Sequence, residues 1–385
     1  MFVFGLGPVK GFATTQIIGI LLSLFCGILV SRLVTDMYTK RERHFKYFTG
    51  LSKSIFKKAH FKFVEARKYT YFISVAVLLM GASTWFTGFE QGVEFKGGRS
   101  YTIKFDQKYK TEDVREKMKS YFGERPIVKT VGTNNELNIT TSYLITTPGQ
   151  GIQQKVDSTL WMGLAKEHLI PDGTTFAVFN GKYLQSSQTV LPTISDDLKA
   201  GAIKATIISL IAIFLYILLR FRKWQYSIGT LLSLLHDVCL TLAVFSYFKG
   251  KVPFALEIDQ HFIAAILTVI GFSMNDTVIV FDRIREYFRK SPDEDKTSVI
   301  NRAINDTLSR TIMTSLCVFI TLLILFIFGG EATRGFAFAM LIGVFTGTYS
   351  SIFVAAPVLV DMDKKGSLKK EVDHEARVEE LKKLA

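Results

Sequence analysis

The chain has 385 residues, 48% of them hydrophobic, and carries 47 Lys and Arg against 34 Asp and Glu, a formal net charge of +13. Its apolar residues are gathered into blocks instead of being spread through the chain, which excludes an ordinary soluble enzyme. The basic charge suggests nucleic acid, but it sits in alternate loops between the blocks, so no nucleic-acid partner is expected and the charge is topogenic.

A hydrocarbon core of about 30 Å needs roughly 20 apolar residues in helical form, and a backbone in lipid must satisfy its own hydrogen bonds. Seven blocks meet that requirement, at about 11–34, 69–89, 197–219, 226–247, 261–282, 304–328 and 335–360, and they predict seven membrane helices. Lys40, Arg41, Arg43, Lys57, Lys58 and Arg67 lie between the first two blocks. Further basic clusters fall at Arg220/Arg222/Lys223, at Arg283/Arg285/Arg289/Lys290 and from Lys364 onward. The positive-inside rule puts these loops in the cytoplasm, in contact with membrane lipids, and makes residues of about 90–195 extracytoplasmic with a cytoplasmic carboxy terminus. No signal peptide is visible, and only ten residues precede the first block, as in a piece of something longer. The expected organisation is a first span at 1–36, a basic connector at 37–68, a second span at 69–89, an outer domain at 90–195, five helices over 196–362 and a charged tail at 363–385.

Within the connector, Leu51–Phe63 alternates Lys with Ile, Phe and Ala, which fits either an amphipathic helix at an anionic leaflet or a solvated linker. The outer domain begins with Tyr101–Phe105, which alternates with period two as a half-buried strand does. Thr111–Phe122 starts with an acidic turn and predicts a helix. Ile127–Val131 and Glu136–Thr141 flank Gly132-Thr-Asn-Asn135 and predict a hairpin. Gly151–His168 is apolar at helical spacing, and Thr174–Asn180 is expected as the closing strand. The order β-α-β-β-α-β is a split βαβ, or ferredoxin-like, arrangement, which implies no function by itself. The domain has one histidine, His168, and no Cys, phosphate loop or metal-ligand spacing, so neither enzymatic activity nor a cofactor or metal is expected. All three cysteines, Cys26, Cys239 and Cys317, fall in apolar blocks, leaving the outer domain without disulfides.

Ionisable side chains at membrane depth are costly, so each is a functional candidate. Asp276 lies about 22 Å along its helix from His261 at 1.5 Å per residue, inside the hydrocarbon. Asn275, Ser273 and Thr277 surround it and are expected to support it or make helix contacts. Two readings stay open for Asp276: glue between helices, or a carboxylate that takes up and releases a proton. Arg310 stays charged and can hold a carboxylate ionised, while its ordinary partner would be Asp306, one turn earlier. Asp237 lies near the middle of its span, beside His236, and Asp282 is expected to pair with Arg283 or Arg285.

Several of these segments carry a family likeness. Gly92-Val-Glu-Phe-Lys-Gly-Gly98 resembles the approach to the first outer strand in SecD and SecF. Gly271–Glu286 is similar to the fourth span of SecF, Leu308–Ser315 and Leu341–Gly347 to its fifth and sixth, and His236-Asp237 to its third. Residues 5–34 resemble the last span of SecD, so the whole is similar to the carboxy-terminal part of a fused SecDF. The resemblance implies a resistance-nodulation-division-like six-span half with one extra amino-terminal span, in the bacterial inner membrane. It further implies an accessory of the Sec translocase that uses the proton motive force to complete preprotein export, with Asp276 as proton site and Arg310 as its essential arginine; Asp237, from its place in the span, is the third candidate for the proton pathway. The partners it implies are a SecD-like half, the SecYEG translocon, exported preproteins and YajC. One departure is Val190-Leu-Pro-Thr-Ile-Ser195, which lacks the glycines usual there and puts a hinge at that point in doubt.

Two other function classes compete with a proton-coupled motor. One is a non-transporting scaffold that stabilises the translocon. The other is a small-molecule efflux pump, against which the outer domain of about 100 residues is small.

Overall fold

The structure is a computed structural model that describes residues 8–40, 60–131, 135–147, 149–190, 192–252, 254–291 and 293–363. Among them seven helices are long and apolar enough to cross a membrane: α1 (Ala13–Thr39), α2 (Arg67–Thr87), α6 (Ser195–Phe221), α7 (Trp224–Phe248), α8 (Gln260–Lys290), α9 (Lys296–Phe328) and α10 (Thr333–Met362). All seven expected spans are present, but α8 and α9 run well beyond their apolar blocks on the basic side. The side chains there explain the extension. Asp295 caps the start of α9 by accepting from the Thr297 and Ser298 amides, and Arg302 pairs with Glu294 at 3.0 Å. Arg283 of α8 reaches Asp306 of α9 at 3.0 Å, so the two projecting ends hold each other as a helical hairpin.

The bundle is built around α7, α8 and α10, each buried over half or more of its apolar window, while α1, α2, α6 and α9 are mostly exposed. Lipid offers no hydrophobic drive to bring helices together, so close packing of small residues has to do it. Gly343 and Gly347, one turn apart on α10, sit against Val269 and Ser273, one turn apart on α8; a Cβ at Gly343 would lie 2.1 Å from a Val269 methyl. Near the basic side Phe221, Tyr226 and Phe281 interlock, with ring centroids 4.8 to 5.8 Å apart, above Ile300, Ile304 and Leu359. The connector is described only at its two ends, because 41–59 lie outside the described residues, and with them 51–59 of the expected Leu51–Phe63 stretch. There Asn305 of α9 both donates to and accepts from the Phe61 backbone at 2.9 Å, and Asn301 accepts from the Val64 amide at 3.0 Å.

Between α2 and α6 the chain forms the soluble domain. Its elements are β1 (Glu90–Gln91), α3 (Val93–Lys96), β2 (Gly98–Lys104), α4 (Thr111–Phe122), β3 (Ile127–Thr130), β4 (Glu136–Thr141), α5 (Ile152–Lys166) and β5 (Leu184–Val190). The four longer strands lie in the order β3-β4-β2-β5, every neighbouring pair antiparallel. Period-two alternation turns Tyr101, Ile103, Leu137 and Ile139 inward against Val114, Met118, Leu160 and Leu164 of the two helices. Each such side chain contributes roughly 1.5–3 kcal/mol on burial. The opposite face is a polar ladder, with Ser100 donating to Asn138 at 2.8 Å and Thr140 to Ser100 at 3.1 Å.

The closing strand is a correction to the sequence reading. It is Leu184–Val190, not Thr174–Asn180. Gly173 adopts φ +81°, Thr175 accepts from the Val178 amide, and the chain coils so that Phe179 and Tyr183 enter the core. The aromatic residues at 176, 179 and 183 carry a helical spacing that the β-branched neighbours obscured.

Candidate functional site: two buried carboxylates in the bundle

Asp237 is fully buried at the centre of the α7–α8–α10 contact. Its Oδ2 accepts from the Ser273 hydroxyl of α8 at 2.7 Å and from the Ser350 hydroxyl of α10 at 2.8 Å. Ser233, one turn back on α7, donates to Ser350 at 2.8 Å. His236 Nδ1 lies 3.3 Å from Asp237 Oδ1, and its ring stacks on Tyr349 with centroids 5.7 Å apart. A carboxylate supplied with this many donors in a low-dielectric interior is held firmly and links three helices. His236 Nε2 is buried without a hydrogen-bond partner, and the Tyr349 hydroxyl interacts with Ser74 of α2, so this polar region continues past the aspartate toward α2.

Asp276, 1% exposed, occupies a sparser setting one turn along α8. Its Oδ2 accepts one hydrogen bond, from Ser315 of α9 at 3.3 Å, and Ser315 in turn accepts from Thr348 of α10 at 2.7 Å. Ser315 and Thr348 also line an otherwise apolar groove of 490 Å³ between α9 and α10, beside Leu308, Ile312 and Phe319. Arg310, on α9, interacts electrostatically with Asp276 without closing an ion pair with it. A singly bonded carboxylate at a groove, with a cation nearby, can change its proton occupancy at smaller cost than one fixed by several donors.

The other expected residues fall unevenly around these two centres. Ser273 does not support Asp276; it bonds Asp237 across the helix contact. Thr277 is buried but donates to the Ser273 carbonyl of its own helix at 3.0 Å, and Asn275 is exposed. Arg310 is exposed and makes no ion pair with Asp306, whose carboxylate instead takes Arg283 and the Tyr287 hydroxyl. The i,i+4 pair fails because α8 presents a closer guanidinium to the same carboxylate. Asp282 reaches back to Arg220 of α6 at 3.1 Å, not to Arg283 or Arg285. The residues not singled out from sequence are Ser233, Ser315, Thr348 and Ser350. Their signal was there in part: Ser233, Asp237 and Thr241 recur every fourth residue along one face of an apolar helix. Among the described residues no group of three or more His, Cys, Asp and Glu is placed to hold a metal ion.

Two family models match the chain: "Protein export membrane protein SecD/SecF, C-terminal" over residues 174–365 and "SecD/SecF GG Motif" over residues 82–108. The SecF protein translocase subunit of Rhodothermus marinus is 40% identical over 324 residues, covering 82% of this chain and 97% of that protein. The chain belongs to the SecF family. The SecF of Haemophilus influenzae is 35% identical over 309 residues, which cover 78% of the chain and 86% of that relative. The fused SecDF of Brucella abortus is 32% identical over 368 residues, 95% of the chain but 45% of that relative, so the chain spans about half the length of a fused protein. The crystal structure of SecDF from Thermus thermophilus, described as a translocon-associated membrane protein, superposes with a TM-score of 0.73 at 26% identity. It is covered to 46% of its length by 94% of this chain. The architecture is thus the polytopic helical membrane fold of the SecD/SecF type, which resembles half of a resistance-nodulation-division transporter.

Proposed function

We propose that this SecF-type protein is the half of a proton-motive-force-driven accessory of the bacterial Sec translocase that carries Asp276 as its proton carrier and Arg310 as the cation acting on it. The observation that carries this reading is the contrast between the two buried aspartates. Asp237 is fixed by donors from two neighbouring helices and serves to anchor α7, α8 and α10. Asp276 has one long hydrogen bond and a groove beside it. Asp237 then belongs to the proton pathway as the rigid support of the helix that bears Asp276.

A SecD-like half completes the pathway. The exposed face of α9, with Arg310 and the groove, suits that contact, and the fused SecDF relatives support it. The soluble domain faces away from the cytoplasm, by the basic loops on the opposite side, and the strand order supports a split βαβ, ferredoxin-like domain over 90–195. SecYEG, YajC and exported preproteins are the partners proposed, at the inner membrane.

The test replaces Asp276 by Asn in the full chain, paired with its SecD-like half, and measures export driven by a proton gradient in membrane vesicles. Export is expected to fall to the level seen without a gradient, and Arg310→Met to do the same. Undiminished gradient-dependent export in both variants refutes the motor and leaves the scaffold.

A further inference from the structure

The soluble domain meets the bundle at a small, charged and well-buried junction. β6 (Glu257–Ile258), just before α8, pairs in parallel with β1, matching Glu90 to Glu257 and Gln91 to Ile258. The Gly92 amide extends the pairing by donating to the Ile258 carbonyl at 2.9 Å. Gly92 makes this approach possible, because a Cβ there would lie 2.7 Å from the Asp259 Cβ and 2.9 Å from a Glu94 carboxylate oxygen. Into this junction the soluble domain sends Lys129 from β3. Its Nζ lies 3.0 Å from Glu257 Oε2 and 3.9 Å from Asp259 Oδ2.

The carboxylates do not stand on an equal footing. Asp259 is committed to α8, where its Oδ1 accepts from the Phe262 amide at 2.7 Å as the helix cap. Glu257 keeps only 4% of its side chain exposed, and its second oxygen, Oε1, is buried with no hydrogen-bond partner. Facing it are Glu90 on β1, Lys129 on β3 and Asp259 at the start of α8; Glu94 on α3 in turn acts on the lysine and Asp259, with His261 of α8 beside it. Arg334 of α10, the helix that also approaches β3, is turned to the Phe326 carbonyl. One lysine therefore serves three carboxylates, Glu257, Asp259 and Glu94, while Glu90 adds a further like charge beside Glu257. An ionised Glu257 leaves a bare oxygen in that crowd, which a proton relieves.

We infer that Glu257 and Lys129 form a proton-responsive latch that docks the soluble domain onto the bundle when Glu257 is protonated and weakens the docking when it ionises. Burial, above all, raises Glu257 from an ordinary 4.5 to about 7, against the pull of Lys129 and with Asp259 and Glu90 adding to the rise. Burial acts to lower Lys129, but Glu257, Asp259 and Glu94 outweigh it and leave it raised, so the lysine stays charged throughout. Glu257 holds its proton more tightly docked than free. Its contribution to docking is therefore full below the free value and is lost as pH rises through the docked one. The proton comes from the compartment that holds the soluble domain. The latch goes beyond the proton-carrier reading and does not depend on it, since none of its residues lies in the spans and Asp276 takes no part.

The test is a distance measurement on the full chain in lipid nanodiscs. Spin labels are placed at exposed Ser120 of α4 and exposed Lys251 of the loop before β6, in a background without the three native cysteines, and read by double electron–electron resonance. Linkage from 4.5 and about 7 makes the docking constant about 20-fold larger at pH 5.5 than at pH 7.5. Glu257→Gln is expected to stay docked at both values, and Lys129→Met to be undocked at both. The same label pair in an Asp276→Asn background is expected to keep the wild-type response. A pH-independent distance distribution in the wild type overturns the latch without needing any variant to fold. A wild-type pH response retained in Glu257→Gln overturns the assignment to that residue.

Discussion

The contact of α8 with α10 offers the sharpest quantitative test of how the carboxylate site is held. Replacing Gly343 by Ala places a methyl 2.1 Å from one Val269 methyl and 2.5 Å from the other, where ordinary contact starts at 3.4 Å. The helices must therefore separate by about 1 Å at that level, since the Val269 Cβ is itself only 2.8 Å away and its short β-branched side chain cannot swing clear, and overpacking of this kind costs about 1–3 kcal/mol. Gly347 and Ser273 sit one turn further along the same seam, so the separation also stretches the 2.7 Å bond from Ser273 to Asp237. Such interhelical hydrogen bonds are worth about 0.6 kcal/mol on average and up to about 1.7. Gly343→Ala should then destabilise the bundle by about 2–4 kcal/mol, measured by equilibrium unfolding in mixed micelles of rising detergent strength. Adding Val269→Ala removes both clashing methyls and should recover at least half of the loss, a coupling that a double-mutant cycle reads directly. A loss under about 0.5 kcal/mol, or no recovery in the double variant, would refute the seam as the element that sets the geometry around Asp237.

Two further outcomes follow from the same structure. Glu124 accepts from the Ser142 amide at 2.7 Å and from Lys96 at 3.0 Å; these bonds outweigh its burial and hold its carboxyl below the usual range. Its contribution to the soluble domain is present above the ordinary Glu value and is lost as pH falls through its lowered one, so Glu124→Gln should flatten the acid limb of the domain's thermal stability profile. Asn305→Leu removes both hydrogen bonds that fix Phe61, and trypsin should then cut after Lys62 several-fold faster in detergent micelles, with an unchanged rate counting against the clamp.

The spans, their number and the candidate aspartates were legible in the sequence because each rests on a local rule. A run of about 20 apolar residues has few fates other than a membrane helix, and a carboxylate within one is conspicuous. The period-two and helical patterns of the soluble domain were legible for the same reason, up to the closing strand, where a short helical stretch at 176–183, rich in aromatic residues and preceded by β-branched ones, resembles a strand.

Tertiary structure alone decided which polar groups meet. Ser273 lies three residues from Asp276 on the sequence, yet the seam of Gly343 and Gly347 delivers it to Asp237 on another helix. Asp306 passes over Arg310 on its own helix for Arg283, because the α8–α9 hairpin places that guanidinium closer. Glu257, in a short loop with no local pattern, acquires its burial and its lysine only when β3 of the soluble domain folds down onto it. Periodicity fixes the face on which a side chain stands. What stands opposite depends on helix separation and register, set by glycines and side chains far apart in the chain.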